Sequence, residues 1–387
     1  MIYNNPVIVC IAANWLLGFD YKTKLSRLKK EFLLFSLFSG LFILQLVGLF
    51  WTSNIPYGMF CIEKDLAILI FPLVLGTSEK LSSKQIRLIL KMFVASCILA
   101  TGYCIAVAIY KNYQLCKLAW IHWNHYTIEM SFPLGMSHVY LGMYLSFTFF
   151  IVLYLFITKE ERKILDYIFV VILLTYLIAF VVIITSKIAF ISLLLLSLFS
   201  SIILFKRKII VFITTVFTFI IVVIVMQKYI PHITSRVKEA LEISSGVIDQ
   251  KSLYSSQRIA TINCSLKLIR ENWLTGVGTG DADNLLDNCY EQEGMPNFKG
   301  LDTHNQYFDL FLTFGIGGIL LFLASLFAPL YFSVKKNQVL YALFLCHFMI
   351  CCLTENLLDN NKGIVFFAFF NSLLAFTTLK GINEKQV

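Results

Sequence analysis

The chain has 387 residues, of which 58% are hydrophobic and only 14% charged, and its mean hydropathy is +0.77. Soluble domains hold roughly 45–50% apolar and about 25% charged residues, so a water-soluble globular fold is excluded. The net charge of +9 is not a nucleic-acid signature, because the lysines and arginines gather in short links between apolar runs. That pattern marks the cytoplasmic loops of a membrane protein, and no nucleic-acid partner is expected.

The apolar runs predict an all-α polytopic membrane protein of about 11–12 transmembrane helices, each needing about 20 residues to cross the hydrocarbon. In chain order the expected spans cover 2–19, 32–51, 60–76, 86–110, 136–158, 164–185, 188–205, 209–228, 305–332, 338–353 and 363–379. The first is short, and the third carries Glu63-Lys64-Asp65 near its start. The opening Met1-Ile2-Tyr3-Asn4-Asn5-Pro6 lacks a basic n-region, so no cleavable signal is expected.

Basic residues fall in every second link. They are Lys22, Lys24, Arg27, Lys29 and Lys30; then Lys80, Lys84 and Arg87; then Lys159, Arg162 and Lys163; then Lys206-Arg207-Lys208, Lys335-Lys336, and finally Lys380 and Lys385. Positive-inside logic makes these links cytoplasmic and turns the others outward. The expected organisation is N-terminal transmembrane helices over 1–227, a large, partly helical periplasmic loop over 228–304, and C-terminal transmembrane helices over 305–387, together one integral membrane domain. His138, Lys187, Arg258, His304, Glu355 and Asp359 all land on the outward side, and ionisable groups at membrane depth tend to mark function.

The loop carries most of the candidate chemistry. Asp302 or Thr303 is expected to cap the helix bearing Asn305, Tyr307, Phe308 and Phe311. Helical spacing puts His304, Tyr307, Phe308 and Phe311 on one face. The positive end of that helix would push the His304 imidazole toward neutrality, leaving a nitrogen to accept a proton. Alone, His304 reads equally as an interfacial histidine satisfied by water. Arg258 opens an expected amphipathic helix to Asn272 with Ile259, Ile262, Leu266 and Ile269 as its apolar stripe. Its guanidinium is a fork of donors suited to phosphate oxygens, though a surface arginine on a solvated helix has the same sequence.

Lys187, in Thr185-Ser186-Lys187, is either a snorkelling lysine or a second cation for a phosphate-bearing ligand. Arg236 and Lys238 are further, weaker cations. Gly276-Val277-Gly278-Thr279-Gly280 follows no strand and precedes no Gly-Lys-Ser/Thr, so it reads as a tight turn and not a nucleotide loop. His122-Trp123-Asn124-His125 and Cys346-His347 with Cys351-Cys352 lack zinc spacing, and no metal is expected. Cys264 and Cys289 share the loop and would pair if it faced an oxidising compartment; the sequence leaves that open.

Ser256-Gln257-Arg258, the turn Asn272-Trp273-Leu274-Thr275-Gly276-Val277-Gly278-Thr279-Gly280, then His304-Asn305-Gln306-Tyr307 and Phe314-Gly315-Ile316-Gly317-Gly318-Ile319-Leu320 together resemble the O-antigen ligase/polymerase superfamily. The similarity covers roughly 185–330, with Trp273 where the pattern usually has proline. Ser137-His138-Val139-Tyr140 and Glu355-Asn356 with Lys362-Gly363 resemble further parts of some members. The resemblance implies an integral-membrane glycosyltransferase acting on a glycan carried by a polyprenyl pyrophosphate. It further implies that arginines hold the pyrophosphate and a loop histidine deprotonates the acceptor. Carried over, His304 and Arg258 are the catalytic pair, and Lys187, Arg236, His138, Tyr140, Asn305 and Tyr307 the substrate-binding set. Lys187 departs from the commoner arginine.

The resulting expectation is an inverting transfer, without cofactor or metal, of a polysaccharide from undecaprenyl pyrophosphate to lipid A-core or another glycan acceptor. Its setting would be the periplasmic face of a bacterial inner membrane, among membrane lipids. A polymerase of the same fold, or transfer to a protein hydroxyl, stays open. A transporter or flippase is the alternative of another class.

Overall fold

A computed structural model describes residues 4–116, 128–204, 220, 224 and 253–379. Most of the expected span 209–228, the Lys206-Arg207-Lys208 link, Arg236, Lys238, His122-Trp123-Asn124-His125, Lys380 and Lys385 lie outside the described residues. The helices are α1 (Asn4–Leu17), α2 (Tyr21–Lys30), α3 (Phe32–Gly48), α4 (Ile55–Thr77), α5 (Ser83–Cys116), α6 (His138–Ile157), α7 (Ile164–Ile183), α8 (Lys187–Leu204), α9 (Leu253–Glu271), α10 (Ala282–Gln292), α11 (Gln306–Lys335), α12 (Val339–Cys351) and α13 (Asn361–Thr378). No strand occurs among the described residues.

Every expected span other than 209–228 has a helix on it. Five helices are long and apolar enough to cross a membrane: Phe32–Trp51, Ser83–Lys111, His138–Ile157, Ile164–Ile183 and Gln306–Lys335. Pro6–Leu17, Lys187–Ser200 and Val339–Cys351 are shorter apolar helices. The chain is an all-α, multi-pass membrane protein.

Contact clustering divides the chain into two compact units, residues 1–80 with 249–387, and residues 81–248. In the second unit α6 packs against α5, α7 and α8. Ser137 caps α6 by accepting from the Val139 N–H at 3.3 Å, and its long run of Phe, Leu and Val is buried nearly all round. α7 instead leaves Ile164, Leu165, Ile168, Phe169, Val171 and Ile172 exposed. A helix apolar on an open face suits lipid as its solvent.

In the first unit α13 lies along α4, which also packs on α3. Two of the three charges that weakened the third expected span are housed by protein, while Glu63 is exposed. Lys64 of α4 pairs with Asp359 just before α13, and Asp65, 2% exposed, accepts from Gln45 of α3 at 2.6 Å. Buried ionisable groups need such partners.

The long helix α11 is broken at Gly315, whose φ of 62° and ψ of −156° are not helical. The Leu312 and Thr313 carbonyls thereby turn outward and accept from the Val277 and Gly278 N–H groups at 2.9 and 3.0 Å. The Ile316 N–H donates in return to the Trp273 carbonyl at 2.9 Å. The glycine-rich turn is thus seated in the break of α11. A Cβ on Gly276 would stand 2.4 Å from the Thr313 carbonyl carbon, and one on Gly315 2.3 Å from the Leu274 oxygen.

The rest of the loop builds a small core of its own. Ala260, Cys264, Leu268 and Ile269 of α9 pack with Leu286, Cys289 and Tyr290 of α10, Phe298 and Leu312. Cys264 and Cys289 form a disulfide, with Cα atoms 5.9 Å apart, so the pairing left open by the sequence is present. The expected stripe on α9 needs correction: Ile259 and Ile262 are 42% and 44% exposed, whereas Ala260, Thr261, Cys264 and Ser265 are buried. The small residues let α9 approach the core closely, and the disulfide pins that face inward.

Candidate active site

The site segment follows the loop core and precedes α11. Asn305, not Asp302 or Thr303, caps α11: its side-chain oxygen accepts from the Tyr307 and Phe308 N–H groups at 2.9 and 3.2 Å. His304 stands one residue ahead of this cap in a left-handed conformation, φ 45°. Such a backbone costs a non-glycine residue roughly 1–2 kcal/mol and persists where the surroundings impose it. Here Asp302 imposes it: its Oδ1 accepts from the His304 N–H at 2.8 Å and lies 2.9 Å from the ring Nδ1.

The segment is bolted to the chain between α12 and α13. Asn356 Oδ1 accepts from the Thr303 hydroxyl at 2.8 Å and from the Asn305 N–H at 2.7 Å. Asn305 Nδ2 donates to the Leu353 carbonyl at 3.1 Å, and the Leu358 N–H donates to Gln306 Oε1 at 2.6 Å. The Tyr307 hydroxyl donates to the Met349 carbonyl at 2.9 Å, and its ring packs on Phe322. Asn305 and Tyr307, expected to meet substrate, have their polar atoms engaged in holding this segment.

The electrostatics depart from the expected effect of a helix end. The hydrogen bond to Asp302 raises the His304 imidazole above its usual range, and burial opposes that shift. Glu355 raises it further and Arg258 lowers it, so both lie within electrostatic reach of the ring. Burial pushes Asp302 up, but bonding to His304 outweighs it and holds the carboxyl below its usual range. Burial drives Glu355 up to about 6, against the pull of His304 and Arg258. The helix-end expectation fails because the ring faces a carboxylate, while Asn305 takes up the end of α11.

With Nδ1 held by Asp302, Nε2 is the ring nitrogen left for proton exchange. The His304 side chain is 38% exposed, so a substrate can reach it. Arg258 sits in the second turn of α9, half-buried. The first unit therefore brings Arg258, His304, Asn305 and Tyr307 together. Lys187, His138 and Tyr140 belong to the second unit: exposed Lys187 opens α8, half-buried His138 opens α6, and Tyr140 is buried two residues on.

Two participants were not singled out from sequence: Asp302 as the partner of His304, expected only as a cap, and Asn356, which holds Thr303 and Asn305 on either side of the histidine. The Asp-x-His spacing is the signal for the first. Nothing local signals Asn356, which lies 51 residues beyond Asn305. The glycine turn donates two of its amides to α11, which gives it a seating role.

Residues 172–323 match the O-antigen ligase family. No curated protein matches the chain. The family match agrees with the motif resemblance and supports a glycosyltransferase-like membrane enzyme of the ligase/polymerase kind, with a lipid-linked glycan donor and a glycan acceptor.

Proposed function

We propose that this chain is an O-antigen ligase-like glycosyltransferase that moves a polysaccharide from undecaprenyl pyrophosphate to a hydroxyl of lipid A-core. The observation that carries the reading is the Asp302–His304 pair, 2.9 Å from Oδ1 to Nδ1, within electrostatic reach of Arg258. His304 Nε2 takes the proton of the acceptor hydroxyl as its oxygen attacks the anomeric carbon. The bond from that carbon to the pyrophosphate oxygen breaks, its electron pair leaves with the pyrophosphate, and the centre inverts. Arg258 stabilises the charge that develops on the leaving group. Asp302 orients the ring and stabilises the imidazolium. On the same reading Lys187 and Arg236 are further cations for the pyrophosphate, and His138 and Tyr140 contact the glycan. The lipid pyrophosphate already activates the donor, so the mechanism uses no nucleotide sugar and no metal.

The segment 228–304 is read as a periplasmic loop of the bacterial inner membrane, between N-terminal helices 1–227 and C-terminal helices 305–387. The basic links on the opposite side support that orientation. So does the Cys264–Cys289 disulfide, which belongs to an oxidising compartment.

The test is transfer by the purified full-length protein, given lipid-pyrophosphate-linked glycan and lipid A-core. A covalent adduct of glycan and core is expected, and His304→Ala should lower its rate about 10²–10⁴-fold. Arg258→Ala should weaken use of the lipid pyrophosphate, with partial rescue by Arg258→Lys. Elongated carrier-linked glycan with core unmodified would reassign the chain as a polymerase. Full activity of a folded His304→Ala protein would remove the base assignment, and movement of glycan without a covalent product would make it a transporter.

A further inference from the structure

The second unit contains a groove that the transfer reaction does not use. It is about 540 Å³ in volume and lies among α5, α6 and α7. Val94, Ile98, Val152, Leu155, Phe169 and Leu173 make its walls apolar. One end is polar and basic, lined by Arg87, Lys91, Lys159 and Asp166. Arg87 and Lys159 belong to the links after the third and fifth expected spans, which the charge pattern assigns to the cytoplasmic face; Lys91 lies one turn beyond Arg87 on α5, and Asp166 lies in the first turn of α7.

The charges at that end do not cancel. Lys159 Nζ pairs with Asp166 Oδ2 at 2.6 Å. Arg87 Nη2 donates to the Thr158 carbonyl at 2.7 Å, one of five N–H donors on a guanidinium. Among the described residues no carboxylate pairs with Arg87 or Lys91. Three cations thus face one carboxylate, an excess of two positive charges over an aliphatic trough. Basic pockets between transmembrane helices on the cytoplasmic side take anionic lipid headgroups, and the trough below continues the same ligand as a hydrocarbon chain.

We propose that this groove is a binding site for an anionic glycerophospholipid of the inner leaflet. The phosphodiester lies between Arg87 and Lys91, and an acyl chain lies along Val152 and Leu173. The lipid fills the space that α5, α6 and α7 leave open and neutralises the basic excess, so occupancy stabilises the second unit. The site is independent of the glycan-transfer reading.

The experiment uses the full-length protein in detergent, titrated with phosphatidylglycerol or phosphatidylcholine, with retained lipid read by native mass spectrometry and stability by thermal unfolding. Phosphatidylglycerol should be retained and should raise Tm, whereas phosphatidylcholine should do neither. Arg87→Ala with Lys91→Ala should weaken retention about 30-fold. Lys22→Ala with Lys29→Ala removes the same charge from exposed positions in the first unit and should leave retention unchanged. Ala95→Trp keeps the cations but fills the groove from an exposed wall position, and should abolish retention. Equal retention of both lipids, or no effect of Arg87→Ala with Lys91→Ala, would overturn the proposal. Inorganic phosphate alone reproducing the Tm shift would replace it with a simple anion site.

Discussion

His304 bonds one oxygen of Asp302 twice, through its ring Nδ1 at 2.9 Å and its own main-chain N–H at 2.8 Å. The same carboxylate therefore sets the ring's direction, its tautomer and the left-handed backbone that carries it. Removing the charge while keeping the shape separates these effects.

Asp302→Asn should lower the plateau transfer rate about 10²-fold, the lower end of what a positioned base contributes. The base must be neutral to act, so wild-type activity should fall as pH drops through the raised His304 value. In the variant that acidic limb should move to lower pH. A pH–rate profile checks both, and an unmoved limb would show that Asp302 does not govern the ring.

The pair also links stability to pH. His304, raised in the folded state, contributes stability fully present below its ordinary value and lost as pH rises through its folded value. Asp302, lowered, contributes stability present above its ordinary value and lost as pH falls through its folded value. The Tm difference between wild type and Asp302→Asn should therefore peak between those limits and shrink on either side.

Glu355 works the other way. Burial raises it to about 6, so its ionisation opposes folding increasingly as pH climbs from the ordinary carboxylate range to that value. Glu355→Gln should raise Tm at pH 7.5 and change it little at pH 4. It should also shift the acidic limb of transfer downward, because Glu355 helps to raise His304.

The disulfide closes a 25-residue separation between α9 and α10. Cross-links of that size stabilise by about 3 kcal/mol in the chain-entropy description. Cys264→Ser with Cys289→Ser, or treatment with dithiothreitol, should lower Tm and reduce transfer, because Arg258 rides on the helix that is released. Identical Tm with and without reductant would show that the loop core holds α9 alone.

The break in α11 makes its own prediction. Gly315→Ala places a Cβ 2.3 Å from the Leu274 oxygen at φ 62°, a conformation and a clash that together destabilise by about 2 kcal/mol or more. Gly317→Ala, two residues on, meets nothing within 4 Å and should be neutral or slightly stabilising. Thermal unfolding of the two variants distinguishes a required break from general glycine tolerance.

The helices on the membrane spans were legible because hydrocarbon demands long apolar runs, a signal that survives in a single sequence. Asp302 was visible as a residue but not as a partner, since the helix-cap pattern it fits is equally met by Asn305. The buried face of α9 was partly misread: Ile269 is buried as expected, but Ile259 and Ile262 are exposed, because at Ala260, Thr261, Cys264 and Ser265 small residues mark the close approach. Asn356 reaches Thr303 and Asn305, and Glu355 comes within electrostatic reach of His304, only through the folding of α11, α12 and α13, which no local pattern encodes. Lys64 and Asp65 looked like defects in a span until Asp359 and Gln45 stood opposite them.

The glycine turn is hydrogen-bonded to α11 through main-chain groups, at the Leu312 and Thr313 carbonyls and the Ile316 N–H. Hydrogen bonds of that kind do not depend on which side chains surround them, provided the glycines remain. The exterior of the loop is accordingly at liberty to be rewritten for a different sugar or a different recipient while the scaffold beneath stays registered. Changes of glycan repertoire would then leave their mark on exposed positions of α9 and α10 and spare the crease itself.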